Sequence, residues 1–137
     1  MPTTPRLTSV SYTHLTPGNA KNNLGRALLN QHRLSEALEQ FRAAIEFQPD
    51  LCLAYNNAGV AYEELNQASE ARRIYQSGVE RPACKRYAEP RYHLANLLLA
   101  DGEIDAAVAM FQSCASSQPS TPFADRCAEY LRQTQGQ

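Results

Sequence analysis

The sequence repeats itself with a period of 34 residues, which restricts the chain to a stack of similar units. The units fall at about residues 18–51, 52–85 and 88–121, with two extra residues absorbed between Arg81 and Glu89. We call equivalent positions of the units slots. Each unit has two slots for a small residue and one for an aromatic ring. The first small slot holds Gly25, Gly59 and Ala95, the second holds Ala37, Ala71 and Ala107, and the ring slot holds Phe41, Tyr75 and Phe111. No single unit can bury both of its apolar faces, so neighbouring units must stack on one another.

Apolar residues recur at intervals of three and four, which is typical of amphipathic helices and not of strands. Each unit holds two such stretches, separated by a short polar turn. The sequence therefore predicts an all-α chain with two helices per unit. Three polar residues stand where the second helices need N-caps, namely Ser35, Ser69 and Asp105. Three dipeptides that end in proline predict further helix starts: Thr16-Pro17, Glu89-Pro90 and Thr121-Pro122.

The pattern resembles the tetratricopeptide repeat, whose signature is W-x2-L-G-x2-Y, then A-x3-F, then P. The first unit matches at Leu24, Gly25, Leu28, Ala37, Phe41, Ala44 and Pro49, with Lys21 in the tryptophan slot. The resemblance implies a right-handed superhelical solenoid of helix-turn-helix repeats. We expect three repeats over residues 17–121, a capping helix and tail over 122–137, and an N-terminal tail over 1–16.

The N-terminal segment has few sizeable apolar groups, namely Leu7, Val10, Tyr12 and Leu15. We expect a flexible or loosely attached tail. The alternative is that this segment lies in a groove, either its own or a neighbour's.

Composition narrows the class of partner and the compartment. The net charge of −1 offers no positive excess for phosphates, so we expect no nucleic-acid partner. No apolar run is long enough to span a bilayer, and residues 1–18 lack the apolar stretch of a secretory signal. We therefore expect no membrane partner and a cytoplasmic location.

Four cysteines, at positions 52, 84, 114 and 127, show no C-x-x-C spacing, and the histidines match no zinc-ligand spacing. Reduced thiols are the prediction for a cytosolic protein, with Cys114 and Cys127 as the one pair that could form a bridge. We expect no metal and no cofactor.

No motif for a nucleophile, a phosphate-binding loop or a metalloprotease site is present, so we predict that the chain is not an enzyme. The adjacent carboxylates of Glu63 and Glu64 are better explained as a solvated helix end.

In the tetratricopeptide fold, first helices line a concave face that holds extended peptides. The resemblance places eight candidate peptide-binding residues there: Asn22, Asn23, Arg26, Asn56, Asn57, Tyr92, His93 and Asn96. Asn23 and Asn57 stand in the same slot of two units, and an amide can both donate to and accept from a peptide main chain. The alternative is that these asparagines only tie neighbouring units together or contact water.

The family's two-carboxylate clamp fits poorly, because Glu89 has the wrong sign for a carboxylate ligand. We therefore predict a protein-interaction module that binds an extended peptide of a protein partner in the groove. Two alternatives remain open. One is a module that self-assembles through the solenoid ends or the N-terminal tail, giving a homo-oligomer. The other is the repeat arm of a larger enzyme such as a glycosyltransferase.

Overall fold

The computed structural model describes residues 16–117 and 121–135, and these ranges contain helices and turns but no strand. The seven α-helices there are α1 (Pro17–Asn30), α2 (Leu34–Phe47), α3 (Cys52–Glu64), α4 (Ala68–Val79), α5 (Ala88–Ala100), α6 (Ile104–Ser117) and α7 (Pro122–Gln135). The expectations for residues 1–15 lie outside the described residues. None of the described helices combines the length and the apolar character needed to cross a bilayer.

Consecutive helices pack against each other along the whole described chain, so the predicted three pairs and capping helix are confirmed. They form a right-handed superhelical solenoid, as predicted. Contacts also join α1 to α3, α3 to α5 and α5 to α7. The first helices of the units and α7 therefore lie side by side and form one continuous surface.

Each pair of helices closes around an aromatic ring that rests on a small residue. A Cβ atom placed on Gly25 would lie 2.5 Å from Cε1 of Phe41, and one on Gly59 would lie 2.2 Å from Cε1 of Tyr75. Phe41 and Tyr75 are fully buried as a result. The small slots predicted from the repeat therefore hold the rings of their own units.

Two residues after the first helix of every unit ends, the chain has a residue with positive φ: His32 at 60°, Asn66 at 60° and Gly102 at 80°. In the first unit, the N–H of Arg33 donates to the carbonyl of Leu28, and that of His32 donates to Leu29. These are the two hydrogen bonds of a Schellman motif. The turn runs straight into the next helix, so α2 and α4 begin at Leu34 and Ala68, immediately after Arg33 and Gln67.

The predicted N-caps at Ser35, Ser69 and Asp105 are therefore wrong, because all three residues lie inside their helices. The helix start at Thr16-Pro17 is confirmed, and Oγ1 of Thr16 caps the helix by accepting from the N–H of Asn19 at 3.1 Å. Oγ1 of Thr121 likewise accepts from the N–H of Ala124 at 3.2 Å.

The predicted start of the fifth helix at Glu89-Pro90 is wrong, because α5 begins at Ala88, two residues before Pro90. Pro90 is the third residue of this helix, where the missing N–H leaves no helical bond unmade. The two extra residues of the third unit fall in a connection that contains a short 3-10 turn, Pro82–Cys84.

Arg91 fastens this connection to the solenoid. Its guanidinium is buried and donates to the carbonyls of Cys84 at 2.7 Å, Tyr87 at 2.9 Å and Val79 at 3.2 Å. Burial lowers the pKa of Arg91 from its ordinary value. One arginine thus joins the end of α4, the turn and the start of α5.

The four cysteines form two disulfides, so the prediction of reduced thiols is wrong. Cys52 pairs with Cys84 and Cys114 pairs with Cys127, at Cα separations of 5.6 Å and 6.0 Å. The first bridge ties the start of α3 to the 3-10 turn, and the second ties α6 to α7. Only the second pair was considered in the sequence, because partners 32 residues apart have no local signature.

Candidate functional site

The eight predicted residues lie on the three first helices α1, α3 and α5, and several of them contact one another across the helix boundaries. We call the surface of α1, α3, α5 and α7 the first-helix surface. The eight residues differ in burial, and this difference decides which of them a ligand can reach.

Asn22 and Asn57 join α1 to α3. Nδ2 of Asn57 donates to Oδ1 of Asn22 at 3.0 Å. Asn22 is buried, whereas Asn57 is half-buried. Asn23, in the same slot as Asn57, is exposed instead and has no hydrogen bond to another described side chain. Asn23 and Asn57, which share a slot, therefore differ in their contacts: Asn57 is hydrogen-bonded to Asn22, whereas Asn23 is exposed.

Asn56 joins α3 to α5 in the same manner. Its Nδ2 donates to Oε2 of Glu89 at 2.8 Å. Its Oδ1 is buried without a hydrogen-bond partner among the described residues. Asn56 is thus held by one strong contact, since a bond to a carboxylate is stronger than one between neutral groups.

Glu89 also faces His93, one turn further along α5, with Nε2 of His93 at 3.9 Å from Oε2 of Glu89. His93 and Asn56 together lower the pKa of the Glu89 carboxyl below its ordinary value, against the opposite effect of burial. This carboxylate is therefore already engaged by the protein, which agrees with the expectation that Glu89 does not serve a carboxylate clamp.

Tyr75 reaches the first-helix surface from α4. Its hydroxyl donates to Oε2 of Glu63 at 2.7 Å, and its ring stacks on His93 with centroids 5.5 Å apart. Burial and the nearby Glu63 raise the pKa of Tyr75, so the hydroxyl stays a donor. Glu63 lies on α3, and the hydrogen bond from the buried Tyr75 of α4 holds its carboxylate in place.

The far end of the surface is aromatic and cationic. The ring of Tyr92 lies 5.4 Å from that of Phe123, and the guanidinium of Arg126 lies 5.7 Å and 5.3 Å from these two rings. Arg126 makes no ion pair within the described part of the chain. A cavity of about 230 Å³ opens beside it, between α5 and α7, and Tyr92 and Asn96 help to line it.

The structure sorts the eight predicted residues into two groups. Asn22 and Asn56 are buried and hold Asn57 and Glu89 through side-chain hydrogen bonds, so their role as direct ligand contacts stays a prediction. The other six reach solvent, fully or in part: Asn23, Arg26, Asn57, Tyr92, His93 and Asn96.

Sequence reasoning missed Phe123 and Arg126 as parts of this surface. Both lie on α7, which we interpreted only as a cap. The signal was available, because α7 follows the third unit where the first helix of a fourth unit would stand.

Comparison with known proteins agrees with this architecture. The family model for the TPR repeat matches residues 23–66, and that for the tetratricopeptide repeat matches residues 53–82 and 88–121. Together these matches span all three units.

Two curated relatives are much longer than this chain. DnaJ homolog subfamily C member 3 of Gallus gallus is 32% identical over 97 residues, which are 71% of this chain and 19% of that protein. Protein O-mannosyl-transferase Tmtc3 of Drosophila melanogaster is 37% identical over 68 residues, which are 48% of this chain and 7% of that protein. The chain therefore spans less than a fifth of either relative.

A solved structure shows the same fold over almost its full length. The first TPR domain of Spaghetti (RPAP3), bound to the HSP90 peptide SRMEEVD, superposes with a TM-score of 0.71 at 14% identity. The match covers 88% of this chain and 94% of that one. At this identity the likeness extends to the fold alone.

Proposed function

Because the chain belongs to the tetratricopeptide-repeat family, we propose that it is a protein-interaction module whose first-helix surface binds an extended peptide segment of a partner protein. A structural neighbour with this fold holds a peptide, which supports the general role. The finer statement, that Asn23 and Asn57 hold the peptide main chain, is our own inference from side-chain contacts.

The pairing of Asn57 is the observation that carries this inference. Asn22 takes up a hydrogen of the Asn57 amide, which fixes the side chain in one orientation. Oδ1 of Asn57 has no hydrogen-bond partner among the described residues, and it can accept from a peptide N–H. Asn23, exposed on α1, can both donate and accept. A preorganised acceptor costs little ordering entropy when the ligand binds.

The test uses a 12-residue peptide selected on the wild-type protein from a displayed random library and then labelled for fluorescence polarisation. Replacing Asn23 and Asn57 together by alanine should weaken its binding about tenfold or more, because two hydrogen bonds to the main chain are lost. Helix content should stay unchanged by circular dichroism.

Asn22→Ala is the matched control. It removes the hydrogen bond between α1 and α3 but leaves the exposed amides in place. Its effect on affinity should be clearly smaller than that of the double variant. Equal affinity of the double variant and the wild type would refute the role of these two asparagines.

The arm of a larger enzyme is the second candidate, and the lengths of the relatives favour it. The match covers 7% of an O-mannosyl-transferase, so most of the length of that enzyme lies outside the matched segment. In such a protein this chain would still supply the binding surface. The peptide experiment applies unchanged.

The disulfides bear on location. Reduced thiols were the prediction for a cytoplasmic protein, and the pairs Cys52–Cys84 and Cys114–Cys127 disagree with that prediction. We propose an oxidising compartment, where such bridges persist. The protein is isolated from its own cells, unfolded without reductant and treated with an alkylating reagent. The reagent should then label none of the four cysteines. Labelling of all four would refute this location.

A further inference from the structure

Arg126 is held against two aromatic rings at the α7 end of the first-helix surface. Its guanidinium lies 5.3 Å from the centroid of the Phe123 ring and 5.7 Å from that of the Tyr92 ring. The two rings also contact each other, with centroids 5.4 Å apart. A guanidinium is attracted to the faces of aromatic rings, so this long side chain has a preferred position before any ligand arrives.

The positive charge of Arg126 is not offset by a carboxylate within the described part of the chain. The second arginine of α7, Arg132, is paired with Glu129. Gln133 donates a further hydrogen bond to Glu129 at 2.9 Å, so this carboxylate is already engaged. Arg126 itself is exposed. Its N–H groups are therefore available to an acceptor from outside the chain.

The cavity beside Arg126 has the size of one side chain. Its volume is about 230 Å³, and it opens between α5 and α7. The rings of Tyr92, Phe111 and Tyr130 line it, and the last two stack with centroids 4.0 Å apart. Pockets for drug-sized ligands have volumes of about 300–1,000 Å³, so this one suits a smaller group. The rings can pack on the methylene groups of an incoming side chain while its charged end reaches Arg126.

The middle of the first-helix surface is negatively charged instead. Glu63 and Glu89 place two carboxylates there, on α3 and α5. His93 lowers the pKa of the Glu89 carboxyl and the charge of Arg26 adds to this effect, so Glu89 stays ionised near neutral pH. Like charges repel, so an acidic ligand group is disfavoured at this point. The α7 end of the surface, with Arg126, is the place that favours it.

We propose that Arg126 and the cavity beside it bind an acidic side chain, aspartate or glutamate, of the partner segment. A guanidinium can donate two parallel hydrogen bonds to one carboxylate, which a neutral side chain cannot match. The contact sets the register of the segment, with its acidic residue against α5 and α7 and the remainder toward the amides of α3 and α1. This inference rests on the proposed function, but it concerns α7, which Asn23 and Asn57 do not involve.

Parallel selections from one displayed random library test the proposal. The library is selected on the wild-type protein and, separately, on Arg126→Gln. Peptides from the wild type should share one acidic position, and those from the variant should not. Because Arg126 is exposed, the variant should keep its helix content by circular dichroism. Equal enrichment of acidic residues in the two pools would overturn the proposal.

A double-mutant cycle then measures the contact itself by fluorescence polarisation. Replacing the shared acidic residue of a selected peptide by its amide should weaken binding to the wild type about five- to tenfold. Arg126→Gln should cost about the same with the unmodified peptide. The two changes together should add nothing further, because both remove one contact. Additive losses would assign the acidic residue to another part of the surface and refute the site.

Arg42→Gln is the matched control, because it removes the same charge from an exposed arginine on the second helix α2. It should leave the affinity unchanged, and a loss equal to that of Arg126→Gln would reduce the effect to general charge attraction and rule out the site. Arg126→Lys keeps the charge but loses the flat, forked guanidinium, so it should recover only part of the affinity.

The outcomes separate this site from the proposed function. A selected peptide whose binding requires Asn23 and Asn57 but ignores Arg126 would refute the site and leave the proposed function intact. Failure to select any peptide on the wild type would overturn both.

Discussion

The hydrogen that serves as the side chain of Gly59 lets the Tyr75 ring lie directly against α3. The ring then places its hydroxyl on Glu63 and its face on His93, so one glycine supports two contacts of the first-helix surface. Gly25 likewise lets the Phe41 ring lie directly against α1 in the first unit. Packing at the single residue Gly59 thus affects the first-helix surface through the ring of Tyr75.

Gly59→Ala should destabilise the protein by about 1–3 kcal/mol, although alanine is the better helix former. The added Cβ would lie 2.2 Å from Cε1 of Tyr75, and a fully buried ring cannot move aside. Urea unfolding measures the loss. The same substitution in a Tyr75→Leu background is the control and should cost less. A stabilising Gly59→Ala in the wild-type background would contradict the packing described.

His32→Gly should stabilise the protein by about 1 kcal/mol, because the residue has a φ of 60° and glycine adopts this conformation without strain. Asn66→Gly should gain less, since asparagine tolerates positive φ better than histidine does. Gly102 already occupies the third equivalent position. Thermal unfolding compares the variants, and a lower Tm for His32→Gly would count against the Schellman turn.

At the scale of elements, the units are joined by polar side chains as well as by apolar packing. Asn57–Asn22 joins units one and two, and Asn56–Glu89 joins units two and three. Arg91 and the two disulfides then fix the connections behind this surface. The relative position of neighbouring first helices, and hence the shape of the surface, depends on these contacts.

Replacing Cys52 and Cys84 by alanine should lower the free energy of unfolding by about 3–4 kcal/mol, because the bridge closes a loop between residues 32 apart. The Cys114 and Cys127 pair, 13 apart, should cost somewhat less, about 3 kcal/mol. Urea unfolding with and without reductant measures both. If reductant leaves the stability of the wild type unchanged, the bridges contribute nothing to it.

The sequence predicted the helices and their stacking because both depend on periodic patterns that one chain displays. The repeat slots of Gly59 and Tyr75 identified a close helix pair, and the structure confirms their contact. Helix starts were predicted less well: Ser35 looked like a cap, but a positive φ at His32 moved the boundary. The Cys52–Cys84 bridge and the carbonyl contacts of Arg91 were missed, because they join distant positions without a repeating signal.

At the scale of the whole molecule, the first helices present one surface with amides on α1 and α3 and a cation on aromatic rings at α7. The buried members of the predicted set, Asn22 and Asn56, hold the side chains of Asn57 and Glu89 in place. The second helices carry the rings that support this surface from behind. The shape of this surface therefore depends on the stacking of all the units.

Chemical-shift mapping with the library-selected peptide and the isotope-labelled full chain tests the central claim most directly. We expect the perturbed amides to cluster in α1, α3 and α5, with side-chain amide shifts at Asn23 and Asn57. The second helices α2, α4 and α6 should change little beyond their contacts with the rings. A perturbed set confined to the second helices, with Asn23 and Asn57 unchanged, would contradict the account.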